Sequence, residues 1–205
     1  MKTILITIFS LGVIGTASAQ GKGKLEMGLS AGVNVAYISD DYGSSDSHVG
    51  FNVSGSADYY FSDDWSMKVK LIYDQKGFDD ATIEDFDTGE LYSTNYEFNY
   101  VTVPILASWH FAPKRNWYLH FGPYIGFLTS AKDTRFDVDV KDDFDSTDFG
   151  VAVGIGVKIP LNQKFRLFFE YDVQAGLTDI VNTPGFSETN NARYAFNMGL
   201  NFLAN

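Results

Sequence analysis

The residues of this 205-residue chain that could do chemistry are charged groups set at alternate positions in otherwise apolar stretches. Arg166, Glu170 and Asp172 fall between Phe165, Leu167, Phe169, Tyr171 and Val173, and Lys68, Lys70 and Asp74 between Trp65, Met67, Val69, Leu71 and Tyr73. Glu26, Asp58, Lys158 and Arg193 hold the same phase in other segments. Alternate side chains of a strand share a face, so these charges line one side of a sheet. Enclosed charges must pair. The expectation is a buried salt-bridge network drawn from Glu26, Lys68, Lys70, Arg166, Glu170, Asp172 and Arg193. Glu170 and Arg193 lie on consecutive segments and are expected to meet, with Arg166, Lys68 and Lys70 as other partners. A gated ion path is the sharper reading, but it requires those pairs to separate inside a narrow interior.

Two other chemistries compete with the salt-bridge reading. Hydrolysis by a serine, a histidine and a carboxylate needs the three within hydrogen-bond reach. His110 and His120 fall on the charged face and His48 in a polar stretch, and none has a supporting spacing. Asp137, Asp139, Asp143 and Asp145 offer hard oxygen ligands suited to calcium. They lack the glycine turn and terminal glutamate of an EF-hand loop, and a solvated acidic loop has the same composition.

The elements that must position these groups are strands. Apolar residues recur at every second position over 25–37, 49–61, 65–76, 96–111, 117–128, 148–159, 165–177 and 193–203. The fourth changes phase: Tyr96, Phe98 and Tyr100 are even-numbered, while Val101, Val103, Ile105, Ala107, Trp109 and Phe111 are odd. That predicts a bulge or two separate pairing segments. The connections alternate long and short. Ser39–His48, 77–95, Thr129–Thr147 and Asp179–Asn191 are long; Ser62–Asp64, Ala112–Asn116 and Pro160–Lys164 are short.

One continuous oily face and one small, charged, glycine-rich face fit an eight-stranded antiparallel up-and-down transmembrane β-barrel with lipid outside and a packed polar interior. A water-soluble barrel would reverse the faces. Phe61, Trp65, Phe111, Trp117, Phe165 and Phe202 gather beside the short turns, and Tyr37, Tyr73, Phe127, Phe149, Tyr171 and Tyr194 nearer the long loops. These are the places for two interfacial girdles.

Residues 1–19 read as a signal peptide: Lys2, the apolar run Ile4–Ile14 and Ala17-Ser18-Ala19. Residues 20–205 are then the barrel domain. There is no cysteine, so an exported chain must be stable without disulfides. The formal charge of −11 argues against nucleic acid.

Tyr100-Val101-Thr102-Val103-Pro104-Ile105-Leu106, Gly122-Pro123-Tyr124-Ile125-Gly126 and Phe149-Gly150-Val151-Ala152-Val153-Gly154-Ile155-Gly156 resemble motifs of the PorT-like outer-membrane β-barrel family of Bacteroidota. Val101 stands where that family more often has leucine. The resemblance covers essentially the whole mature chain. It implies an eight-stranded, OmpA/OmpX-like barrel with in-strand prolines. The family's founding type is associated with protein secretion, which fold alone does not carry over.

The expected protein is therefore a monomeric barrel in a Gram-negative outer membrane, with both termini periplasmic, no open pore, no cofactor and no enzymatic activity. Its role would be structural or binding through long acidic extracellular loops, in which Phe86, Tyr92, Phe136 and Phe144 are interleaved. The alternatives are a subunit of a secretion or envelope complex acting through the periplasmic turns, and a lipid-modifying enzyme. Membrane lipid and a protein at loops or turns are the partners to expect.

Overall fold

The computed structural model describes residues 21–40, 43–84, 89–181 and 188–204. The signal-peptide reading over 1–19, the acids Asp85 and Asp87, Phe86 and the middle of the fourth long loop lie outside the described residues.

Eight long antiparallel strands form a closed ring: β1 (Leu25–Asp40), β2 (Asp46–Tyr60), β3 (Trp65–Glu84), β4 (Leu91–Phe111), β5 (Trp117–Asp133), β6 (Thr147–Pro160), β7 (Phe165–Gly176) and β8 (Asn190–Leu203). Each pairs with the next, and β8 pairs with β1 from Glu26↔Leu203 to Ser39↔Asn190. Closure leaves no ladder edge within the wall, the condition for strands to cross lipid. Among the described residues the one helical piece is the 3₁₀ turn Lys141–Asp143.

The register shows how the ring is sheared. Leu25 pairs Tyr59, which pairs Met67, then Ala107, Phe121, Val153, Val173 and Tyr194, which returns to Val35. One circuit thus ends ten residues further along β1, from 25 to 35. Ten rises of ~3.3 Å over eight spacings of ~4.8 Å tilt the strands by about 40°. All nine residues of that circuit point outward.

The outward face is apolar: Leu29, Val33, Phe51, Leu71, Ile105, Phe121, Val153, Phe196 and Met198 are all exposed. So large a continuous apolar surface cannot be wetted. Its lower border is aromatic, with Trp65 paired to Trp109, Phe111 to Trp117 and Phe165 to Phe202. Near the other border the rings of Tyr37, Tyr194 and Tyr171 stack in sequence around the wall. The short turns are pinned by side chains: Ser62 Oγ accepts the N–H of Trp65 and Asn162 Oδ1 that of Phe165.

The acidic connection 77–95 extends as a hairpin, in line with the aromatics interleaved among the loop acids: beyond a bulge at Asp79-Asp80, Ala81–Glu84 pair with Leu91–Thr94. Two local expectations are corrected. His48 is a β2 residue paired with Ala36, and not in a loop. The phase slip in β4 is absent from its backbone. Its even-numbered residues Phe98, Tyr100, Thr102, Leu106 and His110 all point inward. The bulge lies on β5, where Leu128 and Ala131 both face inward and the register shifts opposite Asn99/Tyr100. What changes along β4 is the interior, from polar to aromatic.

The in-strand prolines mark another irregularity. The β4–β5 ladder skips from Pro104↔Tyr124 to Ala107↔Phe121, and Pro123 falls in the skipped step. Gly122 beside it faces the Ile105 carbonyl so closely that a Cβ would collide with backbone. A missing N–H costs least where the ladder is already open.

Candidate functional site

The interior is filled in layers. At the short-turn end, Lys158 Nζ donates to Glu26 Oε2 at 2.5 Å, to Tyr60 at 2.7 Å and to Asp58 at 3.1 Å, while Arg166 reaches Glu26 Oε1 at 2.7 Å. In the next layer Glu170 accepts from Lys70 at 2.7 Å, Tyr118 at 2.7 Å and Lys68 at 3.3 Å. Lys70 also donates to Asp172 at 3.1 Å. Above it Arg193 bridges Asp74, at 2.8 Å, and Asp172, within a net of amides from Asn34, Asn52 and Asn197. The last polar layer is Lys76 with Asp148, held by Tyr124 and Asn191.

These are six cations (Lys68, Lys70, Lys76, Lys158, Arg166, Arg193) and six anions (Glu26, Asp58, Asp74, Asp148, Glu170, Asp172), all buried. Their charges cancel. The whole net charge of −11 is therefore carried outside this interior. All ten charged residues expected on the inner face are there, with one pairing changed. Glu170 does not meet Arg193. In register it faces Asn197, whereas Arg193, four residues earlier on β8, faces Gln174. Arg193 thus takes Asp172 and Asp74, and Glu170 takes the two lysines from across the barrel. Lys76 and Asp148 add to that set: Lys76 continues the even-numbered phase of Asp74 by one step, and Asp148 stands where the acidic connection passes into β6.

Above Lys76 the interior becomes apolar. Phe78, Phe98, Tyr100, Leu128, Ala131 and Ile180 form a buried cluster, with Ile38, Tyr96, Val140, Phe144 and Val181 packed on it. Ile180 comes from the fourth long connection, whose Asp179 carboxylate accepts the N–H of Val181 and of Thr189. Phe144 bridges to Val181 and packs on Phe98 at 4.6 Å between centroids. It is a cap residue, not an exposed loop aromatic.

The structure does not bring the four calcium candidates together. Asp137 is exposed beside Lys132, Asp139 accepts the Lys141 N–H, Asp143 ends the 3₁₀ turn and Asp145 follows it. Among the described residues the one trio of ligand groups close enough to share an ion is His120, Glu170 and Asp172. The Lys70 ammonium already lies between the two carboxylates.

His120 Nδ1 is 3.5 Å from Glu170, near Tyr118 and against Gly154. His110 Nε2 is 2.8 Å from Ser66 Oγ. That pair has the separation of a nucleophile and its base, but both are buried and no group bonds His110 Nδ1 to orient the ring.

A ring of strands with an apolar band outside and cancelled charges inside defines a transmembrane β-barrel. The chain belongs to the family described as outer membrane protein beta-barrel domain, whose profile matches residues 18–182; it is a small outer-membrane β-barrel. Similar solved structures are OprG of Pseudomonas aeruginosa (10% identity, 90% of this chain and 98% of that one, TM-score 0.52). AlkL in lipid bilayers is another (12% identity, 89% and 90%, TM-score 0.54). Neisserial surface protein A is a third (15% identity, 86% and 96%, TM-score 0.51). At such identities the likeness concerns the fold alone. No curated protein matches the chain.

Proposed function

We propose that this protein is a closed outer-membrane barrel that binds a partner at its long-connection end, and that this end faces the cell exterior with both termini in the periplasm. Residues 1–19 are the export signal that delivers it there. The barrel conducts no ions and catalyses no reaction.

The observation that carries this reading is the height of the β3–β4 hairpin. The twenty residues of β3 span about 66 Å at ~3.3 Å each. At the tilt derived above that is about 50 Å along the axis, against an apolar band of about 25 Å. The projecting part stands on its own apolar core, so it is a rigid ectodomain. Connections that only close a barrel can be as short as Ser62–Asp64. Loops on a rigid scaffold are where binding is carried, and the acids there attract positive charge.

Deleting residues 134–143 tests this. The barrel should stay folded, with unchanged strand content by circular dichroism, and lose its binding to cationic ligands. A deletion that leaves binding intact overturns the reading.

A further inference from the structure

We infer that Tyr92, Arg135, Phe136 and Val138 form a docking platform for a protein segment carrying basic residues on either side of an apolar one. This deepens the proposed function and rests on it.

The platform is built, not accidental. The Arg135 guanidinium lies 5.1 Å from the centre of the Tyr92 ring and 5.6 Å from that of Phe136, and donates to the Ser93 carbonyl at 2.6 Å. The two rings meet edge to face. Asp133 fixes the turn beneath by accepting the N–H groups of Arg135 and Phe136 and the Thr94 hydroxyl. Yet Phe136 is 49% exposed and Val138 50% exposed. Aromatic and arginine side chains held rigid and open to solvent are the composition of interface hot spots.

The patch stands clear of the bilayer. The outward residues of β4 above Val101 are Asn99, Glu97, Asn95 and Ser93, and β5 adds Thr129 and Lys132. A band of polar side chains thus separates it from the apolar wall. An apolar patch in water calls for a partner.

Charge selects that partner. Asp137 and Asp139 alternate with Phe136 and Val138, and Glu90, Asp142 and Asp143 are exposed nearby in the chain. Lys132 is engaged by Asp137, and Arg135 by Ser93 and the two rings. The rim is acidic, so the fitting ligand is basic.

The test uses the refolded full-length protein in zwitterionic nanodiscs, with empty nanodiscs as baseline. Fluorescence anisotropy follows three labelled heptapeptides: alternating lysine and leucine, alternating glutamate and leucine, and heptalysine. The lysine–leucine peptide should bind best, and Phe136→Ser or Val138→Ser should weaken it about tenfold or more, the loss expected of a hot spot. Melting by circular dichroism should be unchanged in both variants. If the serine variants bind normally while deletion of 134–143 abolishes binding, the platform is wrong and loop-borne binding stands. If the deletion also binds normally, both fail. Equal binding of heptalysine reduces the site to diffuse charge and overturns the platform. So does quenching, by bilayer-embedded brominated lipid, of the fluorescence that Phe136→Trp adds over the three native wall tryptophans Trp65, Trp109 and Trp117.

Discussion

Lys70 on β3 reaches across the barrel to Glu170 on β7, 2.7 Å away and 100 residues later in the chain. The contact ties opposite walls together, since β3 and β7 are not neighbours in the ring. Glu170 is also the acceptor for Lys68 and Tyr118. Glu170→Leu should leave the buried Lys68 ammonium without a carboxylate and Lys70 with Asp172 alone, and cost about 3–5 kcal/mol. Lys70→Met combined with Glu170→Gln should restore part of that loss, because fewer charges are then stranded. Urea unfolding of the two variants in lipid vesicles measures both effects. Additive losses would show that the layer does not act as a unit.

Val153 and Gly154 are adjacent and face opposite solvents. Val153→Arg puts a guanidinium into lipid in mid-strand and should cost about 2–4 kcal/mol. Gly154→Ala should destabilise for another reason: the added Cβ would strike His120 Nε2 and sit 2.8 Å from the Tyr171 carbonyl. Refolding yields and unfolding midpoints in bilayers of two thicknesses separate the causes. Only the Val153 penalty should vary with thickness. An unchanged midpoint for Val153→Arg would mean that the outer face is misassigned.

The apolar cap and the salt-bridge layers close the lumen in series. Planar-bilayer recordings of the wild type should show no stable conductance. Ile180→Asp places a charge at the centre of the cap and should loosen the ectodomain, seen as a lower first transition on heating. It should still pass no current, because the Lys76–Asp148 and Arg193 layers lie beneath. A steady porin-like current in the wild type would refute the filled lumen.

Orientation can be read with trypsin on intact cells. Exposed loop residues are the preferred sites of cleavage. Cuts should appear after Lys132, Arg135 or Lys141 and not after Lys114, Arg115 or Lys164. The reverse pattern would place the long connections in the periplasm.

Alternation exposed the eight strands because each strand faces two different solvents, oily and polar. That code fails where the interior itself turns apolar. Phe98 and Tyr100 face inward like Thr102 and His110, yet their chemistry matches the outward residues, so composition simulated a shift of phase. The membership of the charged layers was legible for the same reason as the strands. Their pairing was legible only in part: Lys68 and Lys70 stand among the partners expected for Glu170 and do meet it, but no local spacing ranks them above Arg193, because the contact crosses the barrel's diameter. The cap was invisible: Ile180 and Phe144 come from different connections and each looks like an isolated loop residue. The Ser66–His110 contact joins neighbouring strands whose register only the folded ladder reveals.

The first strand has two partners, and one of them is made last. Met27 pairs with both Ala57 and Phe202, so half of its hydrogen-bonding groups wait for nearly the whole chain to be synthesised. Until β8 arrives there are two open strand edges in a sheet whose outer surface already rejects water. Contacts this distant in sequence form slowly, and a stalled intermediate is a template for aggregation. Closure of the ring by its last strand therefore also sets a kinetic demand: the two open edges have to be kept from other partners until β8 arrives. Loss of the 14 residues of β8, Asn190–Leu203, should be fatal to assembly, whereas an equally long cut in the outer hairpins should not.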